Sequence, residues 1–204
     1  MSKRTSLESR QSVRFLKPTS RAASLALAAA FFVTGCGFSG AEAGDANPAL
    51  GEKLTNLKLL GLTGEAKDIE LPALKGRVTL IHFWGTWCPP CVAEIPHIAA
   101  IQKQFQAAPD FGLLAIASQP GPLGNLDLFR QETDAFLKAQ KLDLPTYADV
   151  NDITRSTFHK IAGWRGFPAT MLIDKNGAIQ GVWFGYEKGD IEQMEQLITK
   201  LIGL

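Results

Sequence analysis

The chain has 204 residues, of which 46% are hydrophobic and 20% charged. That is the balance of a folded globular protein and excludes wholesale disorder. Lys and Arg number 21 against 20 Asp and Glu, a formal charge of +1, which excludes a broadly basic nucleic-acid binder. Three cysteines are too few for a disulfide-rich scaffold or a four-cysteine zinc site. Cys88 and Cys91 stand three apart, and Cys36 stands alone.

The charge is unevenly placed. Six cations (Lys3, Arg4, Arg10, Arg14, Lys17, Arg21) and one anion, Glu8, precede Cys36, leaving 15 Lys and Arg against 19 Asp and Glu from Cys36 onward. The basic start leads into the apolar run Ala22–Val33, broken only by Ser24, which is the order of a secretory signal. Val33-Thr34-Gly35-Cys36 resembles a bacterial lipobox, so residues 1–35 are expected to be removed and Cys36 to carry a lipid. A conventional signal cut later and a retained anchor are the alternatives. The Gly- and Ser-rich second half of the uncharged stretch Ala22–Ala41 argues against a stable span. Ser12–Lys17 resembles a twin-arginine signal with Val13 in place of one arginine, so export in the unfolded state is expected. Residues 36–50 read as a tether.

From residue 51 the pattern is that of one domain. Leu54–Leu60 and Ile69–Leu71 predict short strands, and Val78–Trp84, β-branched and aromatic, predicts a buried one. Ile95, Ile98, Ile101 and Phe105 share one face of a following helix, in which Pro96 is expected to make a kink. Phe111–Ala117 predicts a second buried strand, Ser118–Leu126 a Pro/Gly-rich loop and Asp127–Lys141 a helix. Thr146–Ala148 follows as an edge segment, and Ile153–Ala162 as a weaker helix. Ala169–Asp174 and Ala178–Phe184 flank Asn176-Gly177 as a hairpin. A last helix is expected to be capped by Asp190, with Gln193 three residues on. Its apolar stripe is Ile191, Met194, Leu197, Ile198 and Leu201. Strands alternating with helices and ending in a hairpin imply an α/β protein with a mixed sheet flanked by helices.

The chemistry concentrates at Cys88-Pro89-Pro90-Cys91. Cysteines at i and i+3 on a first helical turn can close a small disulfide or part with little backbone movement. The helix N-terminus favours a thiolate on Cys88. Cys88 is then the nucleophile that attacks a substrate disulfide, and Cys91 the thiol that resolves the mixed disulfide. A zinc half-site would need further ligands, and His82, His97 and His159 show no such spacing. A purely structural bridge gains little from so short a loop. Neither proline offers an N–H, so the Cys88 thiolate lacks two local donors and a reducing couple is predicted.

These residues carry a resemblance. Phe83-Trp84-Gly85-Thr86-Trp87-Cys88-Pro89-Pro90-Cys91, then Glu94-Ile95-Pro96, then Gly166-Phe167-Pro168-Ala169-Thr170 with Leu172-Ile173-Asp174, resembles the TlpA/ResA group of exported thioredoxin-like proteins over residues 50–203. It implies a thioredoxin-like fold over 51–204 with an added N-terminal β-hairpin. It also implies a thiol–disulfide oxidoreductase outside the cytoplasmic membrane. By the same resemblance Pro168 follows a cis bond and faces the cysteines, presenting the backbone of Phe167 to a substrate segment. Glu94 takes the place of an acidic proton acceptor. A trans proline and a solvated surface glutamate are the alternative readings of those two residues. Trp87 is a candidate platform beside Cys88, or core.

His82 departs from the family, which carries Asn where thioredoxins carry a buried Asp. Strand alternation groups it with Val78 and Leu80, either as a proton relay facing Cys91 or as a satisfied core histidine. His97 and His159 read as surface residues. The expected protein is a monomer without cofactor or resident metal, served by an integral-membrane electron donor. It acts on thiols and disulfides of exported proteins, in cytochrome c maturation or in reduction of metal-site thiols. A copper(I) carrier using both cysteines and a histidine is the second reading, and a thiol peroxidase of the same fold the third.

Overall fold

Val78–Trp84 is buried at every position, because it lies in the middle of a seven-stranded mixed sheet with helices on both faces. The computed structural model describes residues 47–203. The expected signal at residues 1–35, Cys36 and the first part of the tether lie outside the described residues. The strands are β1 (Lys58–Thr63), β2 (Ile69–Glu70), β3 (Val78–Trp84), β4 (Phe111–Ala117), β5 (Thr146–Ala148), β6 (Ala169–Ile173) and β7 (Ile179–Phe184). They are ordered β2-β1-β5-β4-β3-β6-β7. β3, β4 and β5 run parallel to one another, and the remaining pairings are antiparallel. Among the described residues the helices are α1 (Pro89–Phe105), α2 (Leu126–Ala139), α3 (Ile153–Ala162) and α4 (Asp190–Ile202), with a short 3-10 turn at Leu71–Leu74 and another at Val150–Asp152.

The alternation of β3 divides the core. Val78, Leu80 and Trp84 join Ile95, Ile98, Ile101 and Phe105 of α1, Phe129 and Leu137 of α2, and Met194 and Ile198 of α4. Ile81 and Phe83 face the other way, onto Phe158 and Ala162 of α3. Phe158 meets Phe83 edge-on, with ring centroids 5.8 Å apart, a favoured aromatic geometry. The parallel centre follows from the helices that cross over between β3, β4 and β5.

Several boundaries differ from the sequence reading, each for a local reason. The first strand is Lys58–Thr63 rather than Leu54–Leu60. Leu54 and Leu57 are buried as expected of core residues, but their backbones bond elsewhere: Leu54 N–H to Gly177 O, and Leu57 O to Leu71 N–H. The tether does not extend to residue 50. Ala49 is buried in the α3-side core, and the Asn47 side chain donates to Ala162 O. Helix α2 starts at Leu126 rather than the expected Asp127, because the Asn125 side chain, inside the expected loop, accepts from Asp127 N and Leu128 N. Asp190 does not cap α4. It sits inside the first turn, Gly189 is the N-cap, and the Asp190 carboxylate turns back to accept Glu187 N–H at 2.9 Å. α1 continues across Pro96 from Pro89 to Phe105. The β6–β7 connection is organised by Asp174, whose Oδ1 accepts from both Asn176 N and Ala178 N, and Gly177 takes the positive φ of 79° that the turn needs.

Candidate active site

The end of β3 delivers the chain to the start of α1 through Gly85-Thr86-Trp87. Cys88 is the N-cap residue, in extended conformation, with Pro89 and Pro90 beginning the helix. Proline suits that position because its fixed φ matches the helix and its missing N–H would have no partner there. Cys88 and Cys91 are joined by a disulfide, with Cα atoms 5.2 Å apart. The bond is unequally accessible: Cys88 is 4% exposed and Cys91 0%. Cys88 Sγ accepts one hydrogen bond, from Cys91 N at 3.4 Å.

Beside Cys88 lies a chain of aromatic rings. Trp87 is 43% exposed, and its ring meets Phe167 edge-on at 5.3 Å. Phe167 in turn meets Trp164 at 5.1 Å, so Trp87 is an exposed ring packed on Phe167 while Trp84 is core. Trp87 Nε1 donates to Ser118 O at 2.9 Å, which pins the indole across Gly85. A Cβ on Gly85 would lie 2.4 Å from Trp87 Nε1 and 2.8 Å from Ser118 O. Gly85→Ala is therefore expected to displace Trp87 and lower stability by about 1–3 kcal/mol. Urea unfolding measures the loss, and the change in Trp emission reports the displaced ring. The Phe167–Pro168 bond is cis. Pro168 O accepts from Gly185 N, and among the described residues the main chain of Phe167 makes no hydrogen bond.

Behind the cysteines the site is acidic. Glu94, one turn after Cys91, is 0% exposed and neither carboxyl oxygen has a hydrogen-bond partner among the described residues. Burial, with the neighbouring Asp190 carboxylate, pushes its pKa up to about 8. The solvated-glutamate reading is thereby excluded. His82 shares the α1 side of β3 with Leu80 and Trp84, is 0% exposed, and bonds through Nδ1 to Thr170 Oγ1 at 2.9 Å. Burial pushes its pKa down to about 3, so the ring stays neutral in the range where it was expected to exchange protons. Its Nε2 has no partner among the described residues. His97 and His159 are exposed.

The fold thus collects Trp87, Cys88, Cys91 and Phe167 at one end of the sheet, with Glu94 buried behind them. The contacts of Ser118, which lies in a loop without a motif, and of Thr170, which lies in the quoted Phe167–Thr170 run, are not foretold by the sequence, and Asp190 has a different part from the expected cap. Among the described residues no three His, Cys, Asp or Glu side chains form a metal-binding group. None of the described helices is long and apolar enough to cross a membrane.

The Redoxin family profile matches residues 49–198. The chain belongs to the Redoxin family. Within it, this redoxin is similar to named oxidoreductases. It is 30% identical to thiol-disulfide oxidoreductase ResA of Halalkalibacterium halodurans, over 74% of this chain and 76% of that one. It is 31% identical to sporulation thiol-disulfide oxidoreductase A of Bacillus subtilis, over 60% and 68%. Among solved structures, the exposed lipoprotein thioredoxin of Streptococcus pneumoniae superimposes with a TM-score of 0.54 at 25% identity, covering 70% of this chain and 99% of that one. The redoxin is a TlpA/ResA-like thiol–disulfide oxidoreductase with a thioredoxin-like fold.

Proposed function

We propose that this oxidoreductase works as a membrane-tethered dithiol reductase of exported proteins, with Cys88 as nucleophile and Cys91 as resolving thiol. The observation that carries the assignment of roles is the unequal burial of the pair, since only Cys88 has any exposed surface. The reduced Cys88 thiolate attacks a substrate disulfide, forms a mixed disulfide and expels the first substrate thiolate. Glu94 in its ionised form, which a pKa of about 8 makes the minor form at neutral pH and the major one above it, takes the Cys91 proton, and the Cys91 thiolate attacks Cys88 Sγ. That closes the Cys88–Cys91 bond and releases the second substrate sulfur as its thiolate, which takes a proton from water. A buried carboxyl held near neutral pKa suits such a transfer.

The free main chain of Phe167 supports short β-type pairing with an extended substrate segment, with Trp87 and Trp164 flanking it. The signal-like residues 1–35 and Cys36 support export and lipid anchoring. In an oxidising compartment electrons then come from an integral-membrane donor. Cytochrome c thiols and metal-site thiols are the client classes that the family resemblance supports. Insulin reduction driven by dithiothreitol tests the reading. Catalysed precipitation of the insulin B chain is expected, and its absence, with tight copper(I) binding by the reduced protein, would favour a copper carrier instead.

A further inference from the structure

The open main chain at Phe167 is one end of a longer run. Trp164-Arg165-Gly166-Phe167 lies between α3 and β6, in neither helix nor strand, and among the described residues it makes no main-chain hydrogen bond. An extended client segment laid along it advances ~3.3 Å per residue. Starting at Phe167, such a segment comes abreast of Trp164 after about three residues. The rings mark the same path, since Trp87, next to Cys88, meets Phe167 at 5.3 Å and Phe167 meets Trp164 at 5.1 Å.

At Trp164 the path opens on a cavity of about 320 Å³ lined by Arg155, Ser156, His159, Lys160 and Trp164. The first four share one face of α3, and no carboxylate is among the lining residues. The Arg155 guanidinium lies 6.0 Å from the Trp164 ring centroid and pairs with Asp152, which holds it at the cavity wall. Lys160 and His159 are exposed and have no ion-pair partner among the described residues. Arg165 turns the other way, over the Phe184 ring at 5.6 Å. It lines a separate cavity with Glu187 and Asp190, where carboxylates would repel an acid. The two sides of the run are thus opposite in character. The α3 side gives a carboxylate an ammonium and a hydroxyl as donors, and an indole wall for the methylenes behind it.

We propose that the cavity between α3 and Trp164 is a client subsite, in which Lys160, Ser156 and Arg155 receive an acidic side chain about three positions from the client cysteine. The proposal rests on Cys88 attacking clients that pair along Phe167. From Cys36 onward the chain has 15 Lys and Arg against 19 Asp and Glu, so its overall field repels an acidic client. A preference for acid at one place therefore comes from the subsite and not from net charge.

The test uses the full chain in its reduced form and cysteine peptides joined as disulfide dimers. One peptide carries a pair of glutamates at the second and third positions before the cysteine, another carries the pair after it, and a third has glutamines in both places. The second-order rate constant of reduction is measured for each. One of the two glutamate placements is expected to react about fivefold faster than the glutamine peptide, the upper range for an exposed ion pair, and the other placement is not. Lys160→Gln should lower that ratio and Lys160→Glu should bring it below one. Lys103→Glu, the same change of charge in the last turn of α1, should leave it unaltered. A ratio near one for both placements, an equal rise in both, or a ratio that survives Lys160→Glu would overturn the subsite. Equal reduction of all three peptides removes only the subsite, whereas reduction of none removes the reductase reading and the subsite with it.

Discussion

Cys91→Ser is expected to end turnover and to leave the protein trapped on its clients. Cys88 retains what exposure the pair has and the Cys91 N–H bond to its sulfur, so the first attack proceeds. The mixed disulfide has then lost the resolving thiol that Cys91 supplies. Cys88→Ser should show neither turnover nor trapping, since the fully buried Cys91 cannot meet a protein disulfide. Non-reducing gels followed by mass spectrometry of the adducts read both results. Adducts on Cys91 in the Cys88→Ser protein would reverse the assigned order.

Stability is expected to peak near pH 5.5 and to fall on both sides, because two buried groups are shifted in opposite directions. Glu94 is raised from 4.5 to about 8. Between those values the unfolded chain has lost a proton that the native protein keeps, so stability falls as pH rises through that window and the loss is complete above it. His82 is lowered from 6.5 to about 3. Below 6.5 the unfolded chain binds a proton that the native ring refuses, so stability falls as pH drops from there towards 3. At ~1.4 kcal/mol per pKa unit, the Glu94 contribution between pH 5.5 and 8 is about 3 kcal/mol. Glu94→Gln should abolish that alkaline limb and leave the acid one. Urea unfolding across the pH range measures it; an unchanged alkaline limb would mean that Glu94 is ionised in the native protein at neutral pH. The same variant should slow the thiol chemistry by about a hundredfold, the lower range for loss of a positioned acid–base group.

Much of the fold was legible because strong periodicity coincided with deep burial. Val78–Trp84, Phe111–Ala117, Thr146–Ala148 and Ile153–Ala162 form the elements their residues predict. What was missed depended on long-range bonds. Leu54 and Leu57 look like strand residues, yet their backbones are bonded to Gly177 and Leu71. Asp190 has the spacing of a cap, but the packing of α4 buries it and turns its carboxylate back to the preceding loop. The cysteines, Trp87 and Phe167 were legible because their chemistry is written in contiguous motifs. The condition of Glu94 and His82 was not, since burial and missing partners are set by the whole core. Strand alternation leaves His82 either a proton relay or a core histidine; its enclosure in the sheet, which keeps the ring neutral, favours the core reading.

The reductase assignment rests on how little the fold does to stabilise a Cys88 thiolate. Pro89 and Pro90 carry no N–H, there is no basic group in the first turn of α1, and the remaining donor is Cys91 N at 3.4 Å. A weakly stabilised thiolate makes the disulfide harder to reduce and the dithiol a better reductant. The most direct measurement is the midpoint potential of the Cys88–Cys91 couple, titrated against glutathione and dithiothreitol. A value more negative than about −200 mV, toward the thioredoxin end of the range, is predicted; a value near −120 mV, that of a strong disulfide donor, would contradict it.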